Sequence, residues 1–261
     1  MKTLAFAAAL LLSTLVAHAE VKTHTIEYKD GDVACKGVLV YDDAAKDARP
    51  GVLVVPEWWG VNDYVKHRGK QLAELGYVAF VADMYGDGKV TTDPKQAGEW
   101  AGALKGDRKK LRGRAMAALD AFKQHGKMGH LDDKKLAAIG YCFGGTTVLE
   151  MARGGADLAG VVSFHGGLDM PEPAPAAIKA KVLICHGADD TFVPDKQVSD
   201  FVAELKKAKA DYQMNIYANS VHAFTNPDAD SFKIPGIAYN READVRSWQA
   251  MKDFFAEIFA K

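Results

Sequence analysis

Gly140-Tyr141-Cys142-Phe143-Gly144-Gly145 stands between a short apolar run, residues 136–139, and a segment of helical character, residues 146–152. Its form is glycine, any residue, nucleophile, any residue, glycine, with cysteine as the nucleophile. Glycines flank such a residue because the chain turns so tightly from strand to helix that a Cβ would strike a neighbour, and the nucleophile itself takes a strained backbone. The turn presents Cys142 at the top of a sheet and at a helix N-terminus, where the dipole and free amides favour a thiolate and a developing oxyanion. No second segment of this form with serine occurs in the chain.

Working outward, short β-like runs alternate with longer helical ones. Strands are expected at 24–28, 36–41, 52–56, 77–82, 136–140, 161–164, 182–185 and 213–217. The run 52–56 is continuously apolar, the mark of a strand buried on both faces. Helices are expected near 64–75, 95–104, 108–123, 146–152, 195–208 and 242–260. This alternation predicts an α/β fold, a mostly parallel sheet of about eight strands with helices on both faces and an antiparallel pair at its start. Active sites of such sheets lie beyond the carboxyl ends of the strands. There the chain places Glu57-Trp58-Trp59, Asp83, Cys142, His165, Asp190 and His222. For Asp83 and His165 the expectation is a polar group satisfied by loop backbone. The helix at 95–104, after the irregular stretch 86–93, is expected to wall the site.

A nucleophile elbow of this kind is followed in the chain by an acid and then by a histidine. Of the eight histidines, His222 alone follows the candidate acid, so the base is assigned by elimination. The acid is sought after the strand at 182–185, where Asp189 and Asp190 both qualify; a carboxylate there can fix the tautomer of the imidazole and stabilise the imidazolium.

Met1-Lys2-Thr3, an apolar stretch too short to span a bilayer, and Ala17-His18-Ala19 read as a signal peptide over residues 1–19. The expected product is an exported, periplasmic or secreted chain of one domain, residues 20–261, without stable membrane insertion. The formal charge of −1 becomes −2 without Lys2, and no basic stripe marks a nucleic-acid partner. Of the three cysteines, Cys35 and Cys185 lie in apolar runs and read as buried small hydrophobes.

Four segments together resemble the signatures of the dienelactone hydrolase family, of the α/β-hydrolase superfamily. They are Pro56-Glu57-Trp58-Trp59-Gly60, the elbow, Gly187-Ala188-Asp189-Asp190-Thr191-Phe192-Val193-Pro194, and His222-Ala223-Phe224, in the family's order. The resemblance implies hydrolysis of esters or lactones by Cys142, His222 and an aspartate, with no metal or organic cofactor and a small-molecule substrate. Its Asp-x-x-Val-Pro spacing selects Asp190. It further implies that Glu57 controls the resting thiol and that the backbone amides of Phe143 and Trp58 form the oxyanion hole. Trp59, Tyr85, Phe192 and Phe224 are expected to shape the substrate pocket.

The chain departs from the family at two places. The arginines that hold the carboxylate of dienelactone fall here at about Asp87 and at Asn226, and neither can bind an anion by charge. Neutral esters or lactones are therefore the expected substrates, unless Lys66, Arg68 or Lys89 brings a cation back. The rival readings are a peptidase or amidase on the same fold, and a non-catalytic ligand-binding or thiol redox protein.

Overall fold

A computed structural model describes residues 20–170 and 177–260; the expected leader lies outside them. The described residues form eight strands: β1 (Val21–Asp30), β2 (Val33–Asp42), β3 (Arg49–Val55), β4 (Val78–Val81), β5 (Leu131–Tyr141), β6 (Gly160–Phe164), β7 (Lys181–Gly187) and β8 (Tyr212–Tyr217). They form one sheet in the order β1-β2-β4-β3-β5-β6-β7-β8. Pairings β1–β2 and β2–β4 are antiparallel and the rest parallel.

Alternate residues of the interior strands feed two cores, as the period of two requires. Val52, Val54, Ala137 and Ile139 pack beneath α1 (Asp63–Glu74) and α6 (Arg241–Ile258), against Leu72, Phe254 and Phe255. Leu53, Val55, Leu136 and Ala138 face the opposite way, toward α3 (Arg108–His125), α4 (Phe143–Arg153) and α5 (Asp195–Lys207). Burying each such Leu or Phe contributes roughly 1.5–3 kcal/mol. The remaining helix, α2 (Pro94–Lys105), starts where Asp93 caps the Lys95 amide and Pro94 takes the first turn.

Among the boundaries that differ from the sequence expectation, two have a local cause. β5 begins at Leu131, because Leu131 and Asp132 pair with Arg49 and Pro50 before a register shift at Pro50/Gly51; its polar first half carries no apolar signal. α4 begins at Phe143 rather than near 146, since the elbow itself opens the helix.

Candidate active site

The elbow is an interlock of backbones. A Cβ on Gly140 would stand 2.0 Å from the Gly144 carbonyl oxygen, and one on Gly144 2.2 Å from that of Val55, so neither position admits a side chain. Between them Cys142 takes φ 52° and ψ −112°, a strained conformation for a residue with a Cβ. Phe143 opens α4, so its amide is among those a helix leaves without an internal partner.

β7 and β8 deliver the other two groups. Asp190 is buried just past β7, and its Oδ1 accepts from the Phe192 amide at 2.9 Å. His222 is buried in the loop after β8, where its backbone exchanges hydrogen bonds with the 236–238 segment. Its Nδ1 lies 2.8 Å from Asp190 Oδ2, and the ring borders the same cavity as Cys142. Burial opposes the charged ring, but Cys142 and Asp190 outweigh it and push the imidazole up to about 10. The adjacent Asp189 is exposed. Geometry thus separates two carboxylates that residue type alone left equivalent.

Glu57 is buried beyond the end of β3, and burial pushes its carboxyl up to about 7. Its Oε2 accepts from Asn226 Nδ2 at 2.7 Å, while Asn226 Oδ1 receives the Asp228 amide, so the amide of Asn226 is oriented from both ends. Asn226, noticed in the sequence as a missing arginine, is here the partner of Glu57.

Cys142 opens into a cavity of about 220 Å³ bordered by Trp58, Phe143, Phe192, Val193, His222, Ile234 and Ile237, with Ala101 and Lys105 of α2, Thr146 and Gly167. Trp58 and Phe143, the residues expected to supply the oxyanion amides, therefore both line it. Of the four expected pocket aromatics, Phe192 borders it, half exposed, with its ring 5.1 Å from His222. The other three require correction. Trp59 is buried against Trp58 and Phe232. Tyr85 donates to the Trp58 carbonyl at 3.0 Å and stacks on Phe143, supporting the wall from behind and lining a separate cavity with Lys89. Phe224 is core, packed on Tyr217 and His165. Aromatic type near a site does not say which side of the wall a ring occupies.

The expected compensating cations are also elsewhere. Lys66 pairs with exposed Asp63, and Arg68 is buried against Asp244 at 2.5 Å and the Thr225 carbonyl. Lys105, which the sequence did not single out, is the lysine that reaches this cavity, with Asp169 at 3.9 Å and Asp169 itself tightly paired with Arg108. The helix containing it was legible as a wall; which of its residues faces inward was not. Asp83 behaves as expected, accepting from the amides of Lys36, Tyr85, Gly86 and Gly88. Cys35 and Cys185 are buried and unpaired.

A strand, a strained turn carrying a nucleophile, a helix, and a later aspartate and histidine meeting at one cavity define an α/β-hydrolase. The family model for the dienelactone hydrolase family matches residues 36–259. Among solved structures, the chain is 42% identical to a dienelactone hydrolase-like promiscuous phosphotriesterase from metagenomic libraries, covering 92% of this chain and 99% of that one with a TM-score of 0.87. It is 41% identical to a protein titled m3DLH, with the same coverage and a TM-score of 0.88. A protein of Saccharolobus solfataricus named "Putative carboxymethylenebutenolidase" is 25% identical over 237 residues, 79% of this chain and 89% of the relative. The chain belongs to the dienelactone hydrolase family, and it is a hydrolase acting on ester bonds of esters or lactones.

Proposed function

We propose that the chain opens carboxylic esters or lactones through a thioester on Cys142, with Cys142, His222 and Asp190 as the catalytic triad. The observation that carries this is the Asp190–His222 hydrogen bond, with His222 and Cys142 lining one cavity and the Cys142 charge helping to raise the imidazole pKa. The thiol proton passes to His222 Nε2, the sulfur attacks the carbonyl carbon, and the amides of Phe143 and Trp58 receive the charge that develops on oxygen. As the tetrahedral adduct collapses, His222 gives its Nε2 proton to the departing alkoxide. The neutral imidazole then takes a proton from water, the hydroxide attacks the thioester, and the thiolate leaves beside a restored imidazolium. Glu57, beside this pair, steadies the resting thiol and limits its oxidation between turnovers.

Trp58, Phe192, Ile234 and Ile237 suit an apolar acyl group, and with Asn226 committed to Glu57 the cavity favours neutral substrates. The likeness to the phosphotriesterase supports neutral phosphotriesters as a second class. Cys142→Ala tests the reading: hydrolysis of p-nitrophenyl acetate should vanish while the thermal midpoint moves by a few degrees at most. Substantial turnover in that variant would exclude the cysteine mechanism. We also propose that residues 1–19 direct export and are removed, which N-terminal sequencing of the exported protein, starting at Glu20, would test.

A further inference from the structure

His165 remains unused by this mechanism, yet it is fully buried between the two loops that the mechanism needs. It follows β6 with φ 41°, and Gly166 beside it has no room for a Cβ, which would stand 2.4 Å from Ser163 Oγ and 2.7 Å from the Gly145 carbonyl carbon. The segment is thus fixed against the elbow at backbone distance. The Cys142 amide is shared between the Phe164 carbonyl, at 3.0 Å, and His165 Nδ1, at 3.1 Å. The first of these bonds continues the sheet; the second is a side-chain acceptor aimed at the nucleophile's own N–H.

A ring nitrogen that accepts there carries no proton, so the proton of the neutral ring is on Nε2, 2.7 Å from Thr225 Oγ1. Thr225 is three residues beyond His222 in the same loop. Its hydroxyl meets Tyr64 at 2.7 Å, and its carbonyl receives Arg68, which is anchored on Asp244. The His165 ring also stands edge-on to the His222 ring, with centroids 5.3 Å apart.

We propose that His165 is a positioning residue which, as a neutral imidazole, joins the backbone of the nucleophile to the loop of the catalytic histidine and so sets the Cys142–His222 geometry. The proposal rests on the triad reading above. The strained turn at Cys142 persists because its surroundings over-determine it; His165 is one of those surroundings. Its neighbours suit the neutral form. Burial, then the charges of His222 and Arg68, hold its pKa well below the ordinary value. A second proton would turn a donor toward the Cys142 N–H.

The test compares His165→Leu, which removes both bonds, with His165→Asn, whose Oδ1 can replace Nδ1, and Thr225→Val, which removes the far anchor. Mass-spectrometric capture of Cys142 by iodoacetamide is followed against pH alongside kcat and KM, so the thiol's state is read without reliance on turnover. In His165→Leu, kcat should fall about thirtyfold with KM within about threefold. The pH of half-limiting capture should rise by about one unit as the imidazolium loses its position beside the sulfur. Asn should restore most of both effects, and Thr225→Val should shift capture in the same direction by less. If Leu destabilises the fold, the Asn and Val variants decide by the same readouts. An unchanged capture profile in folded Leu or Val variants, or equal losses in Asn and Leu, would overturn the proposal. A Cys142→Ala enzyme that still turns over would instead remove the triad reading and leave the capture result standing.

Discussion

Asp190 and Glu57 are both buried carboxylates beyond strand ends beside the same imidazole, yet their partners differ in kind. Asp190 meets a backbone amide and the His222 ring, whose pKa is raised; Glu57 meets the neutral side-chain amide of Asn226. At Glu57 burial outweighs that dipole, and the carboxyl rises to about 7. The difference teaches what a neutral side chain does at position 226, where the resemblance leads one to expect an arginine. Asn226 lowers the Glu57 pKa by its hydrogen bond, but by less than burial raises it.

The largest effect should come from breaking the charged partnership. Asp190→Asn should lower kcat by about a thousandfold or more by giving His222 the wrong hydrogen-bond partner. Asp189→Asn, at an exposed position, should change it little, and steady-state kinetics of the two variants would reveal a reversal.

A substrate's own carboxylate would be a further acid entering this cavity, which Lys105 lines and from which Arg68, paired with Asp244, is absent. A neutral aromatic ester should exceed a carboxylate-bearing analogue of equal size by about tenfold in kcat/KM. Lys105→Met should widen that ratio by about threefold, because Lys105 is half exposed and its charge is screened. Equal turnover of the two esters by the parent enzyme would show that Lys105 suffices as an anion partner.

The smallest effect sharpens the other partnership. An unfolded chain ionises Glu57 near the ordinary value of 4.5, the folded one near 7, so between these values the folded state holds a proton the unfolded state has lost. The stability this confers is complete below 4.5 and declines as pH rises to about 7, by up to about 3 kcal/mol. Glu57→Gln keeps the acceptor for Asn226 and removes the titration. Its thermal midpoint should therefore fall by several degrees less than that of the parent between pH 5 and pH 8, as calorimetry would record. Parallel curves would mean that Glu57 ionises without cost in the fold.

The sheet was legible because its interior strands carry short apolar runs, and the elbow was legible because its glycines and cysteine fall between a strand-like run and a helical one. Chain order alone isolated His222. Asp190 needed the family's spacing, since two adjacent aspartates in a turn differ by the direction of the chain and not by type. Lys105 escaped notice because a lysine at the end of a helix reads as solvent-facing, and its approach to the cavity depends on how α2 lies across the strand ends. The hydrogen bond of Glu57 to Asn226 joins residues far apart in sequence and carries no local signal.

Phe192 and the residues around it lead to a different kind of consequence. The cavity's outer rim is contributed by separate pieces, a half-exposed ring after β7, the segment holding Ile234 and Ile237, and the last turn of α2. None of them shares the backbone interlock of Gly140, Gly144 and Gly145. Side chains of the rim can therefore be exchanged while the glycine interlock of the elbow is left alone, which makes the molecule modular in the sense that protein engineers use the word. Libraries confined to Phe192, Ile234 and Ile237 should yield folded enzymes with altered tastes, and libraries in the elbow should yield mostly insoluble chains.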